Sequence, residues 1–366
     1  MSIHTKTPIK YQHLDLQQLA NDIKSWARSS GFQQIGITDT DLSEAEKHLM
    51  NWLEQDYHGE MEYMQRHGTK RSRPAELEPG TVRVISVTFN YWPESCEQHL
   101  AILNDTEKAY VSRYALGRDY HKLMRKRLQS LVRQIQSSIG EFGYRVFTDS
   151  APVLEKALAE KAGLGWIGKH TNLLTEHTGS WFFIGEIYTD LPLPVDAPAK
   201  NHCGTCTSCI DACPTRAIIA PYQLDARLCI SYLTIELRDS IPVELRSLIG
   251  NRIYGCDDCQ IVCPWNRFAR QTEEKDFLPR HHLESASLLE LFAWSEQEFL
   301  DNTEGSAIRR IGYQCWLRNI AVALGNAPRH PQIMSALNDR LVDATPMVRE
   351  HIEWAIAQHQ TSPDLR

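Results

Sequence analysis

Two runs of cysteines near the middle of the chain have the residue type and the spacing needed to bind iron–sulfur clusters. The first run has the pattern C-x2-C-x2-C-x3-C-P, and the second has the shorter pattern C-x2-C-x3-C-P. The first comprises Cys203, Cys206, Cys209 and Cys213 before Pro214, and the second comprises Cys256, Cys259 and Cys263 before Pro264. Thiolates spaced by two residues on a tight loop hold one cluster, while the cysteine before the proline reaches a second cluster. This region therefore predicts two neighbouring clusters.

This arrangement assigns four ligands to one cluster and three ligands to the other. The first cluster is expected to bind Cys203, Cys206, Cys209 and Cys263. The second is expected to bind Cys213, Cys256 and Cys259, with Cys229, which lies between the two runs, as its fourth ligand. Eight thiolates then fit two [4Fe-4S] clusters, and Cys96 and Cys315 remain as ordinary thiols.

Zinc and disulfide bonds are the alternatives for these cysteines. Two four-thiolate zinc sites explain the C-x2-C pairs, but they explain neither the third cysteine step nor the proline after each closing cysteine. Disulfides require an oxidising compartment, and the N-terminus has no segment that resembles a signal peptide. Iron–sulfur clusters are the favoured interpretation, in a protein expected to be cytoplasmic.

The composition of the chain is that of a globular protein with more than one domain. It has 366 residues, of which 42% are hydrophobic and 23% are charged, and this length exceeds one ordinary core. No apolar run approaches the roughly 18 residues of a membrane span. The net charge of −7 argues against a uniformly basic nucleic-acid binder, but it is compatible with a local basic face.

Helices and strands alternate ahead of the cysteine region, which predicts an α/β domain over residues 1–195. Apolar and β-branched residues predict buried strands at Thr81–Tyr91 and Trp181–Tyr188. A basic amphipathic helix is predicted at Tyr120–Ile139, with its charges on a solvated face. Pro152 is expected to open the next helix.

The rest of the chain divides into a cluster domain at residues 196–270 and an all-helical domain at residues 271–366. Ser287 and Ser295 are each followed three residues later by Glu, which is the spacing of a capping box. Residues 317–325 are similar to the second helix of a HEAT-type repeat, and stacked repeats of this kind bind large partners. The alternative for this domain is a small helical cap.

Short motifs along the chain carry a resemblance to a known family. They are RY at 113–114, GRDYH at 117–121, TDSAP at 148–152, GLGWIGK at 163–169, NLL at 172–174, GSWFFIGE at 179–186 and GCDDCQ at 255–260. Together with the cysteine runs they resemble the epoxyqueuosine reductase family, over roughly residues 15–360 and in one order. The family finishes the queuosine nucleoside of tRNA.

This resemblance implies a cobalamin-dependent reductase with a corrinoid-binding N-terminal domain like that of reductive dehalogenases. The implied substrate is a tRNA with a GUN anticodon that carries epoxyqueuosine at the wobble position. Two electrons and two protons remove the epoxide oxygen as water and leave the cyclopentene of queuosine. The clusters are expected to relay the electrons singly from an external low-potential donor. The protein is expected to act as a monomer and without a membrane.

The resemblance also implies roles for individual residues. Asp149 matches the proton donor of the family, which is needed because epoxide opening leaves an alkoxide; its local sequence alone favours a helix cap. Six further residues are candidates for the cobalamin pocket: Arg66, Tyr114, Asp119, His121, Lys169 and Asn172. A surface position for Lys169, or a structural hydrogen bond for the others, is the alternative.

An acidic protein must bind tRNA through a local basic face. Arg309 and Arg310 in the helical domain are the predicted contacts, and the basic residues of 66–73 and 122–133 form a second candidate face. Arg318 is less suitable, because the Arg-Asn pair of a helical repeat is commonly structural.

Two functions of other classes stay open from the sequence. One is an electron-transfer subunit with ferredoxin-type clusters and no cobalamin, and the other is a tRNA- or protein-binding scaffold whose clusters are structural. A corrinoid absorption band distinguishes the reductase from the electron-transfer subunit. Turnover of modified tRNA distinguishes it from the scaffold.

Overall fold

The computed structural model describes residues 9–92 and 96–360, without the side chains of residues 9, 96 and 97, so the expectation for the Cys96 thiol lies outside it. The helices are α1 Leu16–Ser29, α2 Ser43–Glu54, α3 Pro74–Leu77, α4 Cys96–Asn104, α5 Tyr120–Ile139, α6 Glu155–Lys161, α7 Ser208–Asp211, α8 Val243–Ile249, α9 Asp258–Ile261, α10 Leu288–Ala293, α11 Glu296–Asn302, α12 Gly312–Asn326, α13 Pro331–Leu341 and α14 Pro346–Gln360. The strands are β1 Gln34–Thr38, β2 Arg83–Asn90, β3 Tyr110–Val111, β4 Tyr144–Phe147, β5 Trp166–Ile167, β6 Leu173–Leu174, β7 Phe182–Thr189, β8 Ile218–Ala220, β9 Gln223–Leu224 and β10 Arg252–Tyr254.

The main sheet has four strands in the order β1-β2-β7-β4, and every neighbouring pair is antiparallel. Its centre is the long pair of β2 and β7, which runs from Arg83 opposite Thr189 to Asn90 opposite Phe182. Both central strands are almost wholly buried, as predicted from their apolar and β-branched residues. The sheet is therefore covered on both faces.

Helices cover the two faces differently. On one face α1 and α5 pack apolar side chains against β2 and β7, with Ile23, Leu128, Val87 and Ile187 fully buried. The prediction for α5 is confirmed at both ends, and Asp119 caps the helix by accepting a hydrogen bond from the His121 amide. On the other face α6 lies close to the sheet, against β1, β2 and β7.

The close approach of α6 depends on a glycine in β1. A Cβ added to Gly36 would lie 2.0 Å from the carbonyl oxygen of Ala162, directly after α6. α6 begins at Glu155 with Leu154 as its N-cap, so the prediction that Pro152 opens the helix is wrong. The loop before it is already fixed in a non-helical path, because Asp149 has a left-handed φ of 53° and the Val153 amide donates to the carbonyl of Ala151.

The C-terminal helices build a second core that extends into the earlier parts of the chain. β3 pairs in parallel with β10, and residues of both strands are buried with α10, α12 and α14. Arg318 on α12 is fully buried and donates to the carbonyl oxygens of Leu233, Leu237 and Asp239. Arg318 therefore joins the helices to the cluster region, in the structural role expected for it.

The two predicted helix starts in this region are confirmed. Ser287 and Ser295 are the N-caps of α10 and α11, and Ser295 forms a complete capping box with Glu298. Among the helices of residues 9–92 and 96–360, none has the length and apolar character needed to cross a membrane.

Candidate active site

The cysteines of the predicted clusters form two groups of neighbours in the structure. The thiols of Cys203, Cys206, Cys209 and Cys263 line one small cavity of about 40 Å³. Burial, followed by the neighbouring thiols of Cys209, Cys203 and Cys206, raises the pKa of Cys263 to about 11. The two cysteine runs thus contribute to the same site, although Cys209 and Cys263 lie 54 positions apart in the sequence.

The second group contains Cys213, Cys229, Cys256 and Cys259. Burial, and then the thiols of Cys229 and Cys213, raises the pKa of Cys259 well above its ordinary value. Burial and the thiols of Cys229 and Cys259 also raise the pKa of Cys256 well above its ordinary value. Cys229 therefore lies close to Cys256 and Cys259. Cys315, by contrast, is buried in the core of the C-terminal helices.

The two groups are neighbours, and their loops have the same local structure. α7 and α9 each contain the second cysteine of a C-x2-C pair, Cys209 and Cys259. An amide–carbonyl hydrogen bond closes each turn, from Ile210 to Thr207 and from Gln260 to Asp257. The thiol of Cys209 in the first group raises the pKa of Cys259 in the second. Cys206 in the first group is exposed.

A cleft of about 400 Å³ lies beside the second group of cysteines. Its apolar wall comes from β7 and its neighbours, and includes Leu173, Phe182, Phe183 and Ile184. Gln260, the residue after Cys259, also lines it. The lining also includes Ser306, Ala307 and Arg310 of the C-terminal helical region, together with Glu236 at the end of a π-helical turn. Several parts of the chain therefore converge on one cleft, as is typical of ligand sites.

Asp149 lines this cleft and contacts two residues from the start of α5. The hydroxyl of Tyr120 donates a hydrogen bond to Asp149 Oδ2, and His121 Nε2 lies 3.6 Å from the same oxygen. His121 Nδ1 lies 2.6 Å from Asp119 Oδ1. Tyr120 is itself fixed by stacking on Phe183, with ring centroids 3.8 Å apart. Asp149 does not cap α6, so the helix-cap alternative for it is wrong.

These contacts set the protonation of the pair. Burial by itself lowers the pKa of His121, but the hydrogen bond to Asp119 and the charge contact with Asp149 outweigh it and raise the pKa to about 9. Burial would raise the pKa of Asp149, yet the contacts with His121 and Tyr120 hold it below its ordinary value. At neutral pH the proton of the pair therefore lies on the imidazole, and Asp149 is a carboxylate.

Two charged residues of α6 also line the cleft, and the sequence analysis did not find them. Burial, and then the charge of Asp149, raises the pKa of Glu155 to about 8. Lys156 donates to the carbonyl of Thr171 at 2.9 Å. Burial lowers the pKa of Lys156, while Glu155, Asp149 and the Cys259 thiol act in the opposite direction. The Glu-Lys pair after a proline-containing loop was the signal available in the sequence.

The remaining predicted pocket residues divide into two sets. Tyr114, Asp119, His121 and Asn172 line the cleft with Asp149. Arg66 is exposed and does not line it. Lys169 lies instead on the first cysteine loop, where its ammonium donates to the carbonyls of Gly204 and Cys206. The position of Lys169 after a glycine-rich turn did not indicate whether its side chain lies in the cleft or on the cysteine loop.

The predicted tRNA contacts also differ from each other in position. Arg310 lines the cleft and forms an ion pair with Glu236 at 2.6 Å. Arg309 is exposed and donates to the carbonyl of Leu300. In the second candidate face Arg73 is paired with Glu46 and Glu76, and Arg127 with Glu274, so part of its positive charge is neutralised.

Family models match two parts of the chain. A model described as "Epoxyqueuosine reductase QueG, DUF1730" matches residues 71–150, and one described as "4Fe-4S double cluster binding domain" matches residues 202–266. The second match covers both cysteine runs. It confirms the prediction of two [4Fe-4S] clusters and makes the zinc interpretation wrong.

Curated relatives match nearly the whole chain. Epoxyqueuosine reductase from Pseudomonas aeruginosa is 61% identical over 94% of this chain and 96% of its own length. The enzyme of the same name from Escherichia coli is 59% identical over 94% of this chain and 90% of its own.

Solved structures match over a similar extent. Epoxyqueuosine reductase from Bacillus subtilis, with its catalytic aspartate loop swung out of the active site, is 28% identical with a TM-score of 0.83, covering 95% of this chain and 92% of that one. An epoxyqueuosine reductase with an epoxyqueuosine-modified tRNA-Tyr stem loop is 26% identical with a TM-score of 0.80, covering 95% of this chain and 100% of that one.

Proposed function

Because the chain belongs to the epoxyqueuosine reductase family, we propose that it reduces the epoxide of epoxyqueuosine at the wobble position of tRNA to the alkene of queuosine. Both carbon–oxygen bonds of the epoxide break, and its oxygen leaves as water. The reaction consumes two electrons and two protons. The observation that carries the proposal is one cleft in which a proton-holding pair, Asp149 and His121, lies beside the cysteines of a cluster.

Cobalamin is the cofactor that the lining of the cleft fits. An apolar wall of Leu173, Phe182 and Ile184 suits the face of a corrin ring, and Asn172 and Gln260 offer amide groups to the amide side chains of the corrin. When bound, cobalamin supplies a cobalt centre that accepts electrons singly and is strongly reducing. We assign its binding to this cleft, and this binding makes the N-terminal domain a corrinoid domain.

The two groups of cysteines are the proposed electron path. Electrons from an external low-potential donor enter at the cluster of Cys203, Cys206, Cys209 and Cys263, because Cys206 is exposed. They continue to the cluster of Cys213, Cys229, Cys256 and Cys259, which adjoins the cleft through Gln260 and Lys156. Neighbouring four-iron clusters are suited to such a relay of single electrons.

Asp149 is the proposed proton donor to the departing oxygen. Its carboxylate takes the proton held on His121 and passes it to the alkoxide, which is far more basic than either group. Asp119 keeps His121 in place and positively charged, because it contacts the other ring nitrogen at 2.6 Å. Asp149 lies in a left-handed backbone conformation, and its half-exposed side chain lines the cleft in which the substrate is proposed to bind.

The C-terminal helices are the proposed tRNA-binding wall. α12 packs against α14, and α13 against α14; in the proposal these are helix pairs of the HEAT type. Arg310 lies at the edge of the cleft and Arg309 faces outward beside it, so both suit phosphates on either side of the wobble nucleotide. The wobble base must be splayed out to reach Asp149.

The decisive experiment uses the full chain, reconstituted anaerobically with iron, sulfide and cobalamin. With a low-potential reductant and tRNA that carries epoxyqueuosine, nucleoside mass spectrometry should show conversion to queuosine with loss of one oxygen atom. The same protein without cobalamin should show none. Failure to convert the tRNA, in protein that shows both the cluster and the corrinoid absorption, contradicts the proposal.

A further inference from the structure

A carboxylate lies in the cleft that is proposed to receive the RNA. Glu236 lines this cleft with its side chain 18% exposed, and it forms an ion pair with Arg310 at 2.6 Å. Arg310 is itself a proposed phosphate contact. Because an RNA backbone is a polyanion, a carboxylate beside a phosphate contact weakens binding unless a cation of the RNA pairs with it. A phosphate that binds Arg310 therefore leaves Glu236 in need of another cationic partner.

The other carboxyl groups of the cleft are already paired or neutral. Among the described residues that line it, these are Asp119, Asp149 and Glu155. Asp119 and Asp149 contact the two ring nitrogens of His121, at 2.6 and 3.6 Å. Burial, followed by the charge of Asp149, raises the pKa of Glu155 to about 8, so Glu155 is protonated at neutral pH. Glu236 is thus the carboxylate of this set whose present partner a substrate phosphate can take.

The backbone around Glu236 is held firmly by the neighbouring helices. Glu236 is the last residue of the π-helical turn Tyr232–Glu236, and the amide of Leu237 donates to the carbonyl of Tyr232 at 3.0 Å. The buried guanidinium of Arg318 donates to the carbonyls of Leu233 and Leu237 on both sides of the turn. Short π-helical segments are rare and occur frequently at functional sites. The carboxylate therefore stands at a fixed place in the cleft lining.

The proposed substrate carries a cation of its own. In epoxyqueuosine the epoxide-bearing five-membered ring is joined to the base through a secondary amine, which is protonated at neutral pH like the amine of lysine. The four ordinary nucleosides of RNA carry no positive charge at this pH. If the phosphate binds Arg310 and the ammonium binds Glu236, two charge-assisted contacts replace one. Neither side chain is then left unpaired.

We propose that Glu236 is the binding subsite for the secondary ammonium of the epoxyqueuosine base and selects the modified tRNA over tRNA with an ordinary wobble nucleoside. This inference rests on the proposed function. The Arg310–Glu236 ion pair opens when the tRNA binds, and each side chain takes an oppositely charged group of the substrate. Since the amine nitrogen is bonded directly to the five-membered ring, its contact with Glu236 also orients the epoxide. Glu236 binds and orients the substrate, and it transfers no proton.

Binding measurements with two anticodon stem loops test the subsite. The loops differ only at the wobble position, where one carries the cationic 7-aminomethyl-7-deazaguanine and the other the neutral 7-cyano-7-deazaguanine. The protein is the full chain with both clusters and cobalamin, without reductant. The wild type should prefer the aminomethyl RNA by about tenfold or more, as expected for one hydrogen bond between charged groups. Glu236→Gln should lower this preference to below about threefold.

Two variants serve as controls. Glu78 forms an ion pair with Arg145 at 3.2 Å and does not line the cleft, so Glu78→Gln should keep the preference of the wild type. Arg310→Gln should weaken the binding of both RNAs by a similar factor, because both carry the same phosphates. If Glu236→Gln also weakens both RNAs alike and keeps the preference, the subsite is overturned, since Glu236 then only holds Arg310 in place.

The wild-type measurement decides the proposal even if Glu236→Gln fails to fold. Equal wild-type affinities for the two RNAs overturn the ammonium subsite. A wild-type protein that shows the preference but leaves the modified tRNA unchanged in the turnover assay overturns the proposed function instead.

Discussion

Replacing Asp149 by Asn removes the proposed proton donor while leaving the local structure intact. The residue has a φ of 53°, a left-handed conformation that Asn adopts readily. It caps no helix, its side chain is half exposed, and its contacts are with Tyr120 and His121. We therefore expect the free energy of unfolding to change by no more than about 0.5 kcal/mol.

The effect on catalysis should be far larger than the effect on stability. A missing general acid lowers the rate by at least about 10²-fold. The pH dependence should change as well. In the wild type the rate should fall as the pH rises through about 9, where His121 loses its proton. Without the Asp149 charge, the pKa of His121 should fall while staying above its ordinary value, because Asp119 remains at 2.6 Å.

The assay is single-turnover conversion of modified tRNA by prereduced protein between roughly pH 6 and 10. Iron content, corrinoid absorption and melting temperature should match the wild type. Asp56→Asn is the matched control, since Asp56 has the same backbone conformation, with a φ of 52°, and does not line the cleft. An Asp149→Asn rate within a few-fold of the wild-type rate would refute the assignment of Asp149 as the acid.

Three further outcomes are expected. Cys229→Ser should reduce the iron content or change the spectrum of one cluster, whereas the control Cys315→Ser should keep eight irons per chain. If Cys229→Ser also keeps eight irons per chain with unchanged spectra, the ligand assignment is contradicted. Replacing Arg309 and Arg310 by Gln should weaken tRNA binding while both clusters stay intact. The slope of log affinity against log salt concentration should fall by up to about one unit per lost phosphate contact. An unchanged affinity and slope in filter binding place the tRNA-binding face elsewhere. Arg318→Leu should lower the free energy of unfolding, measured by urea titration, by about 3–5 kcal/mol, because three buried carbonyls lose their hydrogen-bond donor. A loss below about 1 kcal/mol argues against the structural role of Arg318.

Local sequence was sufficient wherever a feature depends on neighbours in the chain. The bounds of α5 follow from its apolar periodicity, the Asp119 cap and Gly140 after its last turn. The cysteine runs and the N-cap serines are likewise local patterns. The start of α6 was placed three residues too early, at Pro152, because the backbone of the Asp149 loop is set by contacts with α5 that no short window contains.

Features that depend on distant segments were not predictable. The antiparallel strand order brings Glu186 beside Ser86, and nothing in either strand alone indicates this pairing. Glu186 is the single acid within the apolar run 181–188, which indicated that it is buried but not which residues surround it. Lys169 and Asn172 are three residues apart in sequence, yet Lys169 binds the cysteine loop and Asn172 lines the cleft.

The exchange of cysteines between the two runs affects how the protein acquires its metal. With the proposed ligation, Cys263 from the second run completes the first cluster, and Cys213 from the first run completes the second. Neither cluster can then be fully coordinated until the intervening segment, which includes Cys229, has folded back between the runs. In the wild-type chain the loading of the two clusters should therefore be coupled, because the fold that brings Cys263 to the first site also brings Cys213 to the second.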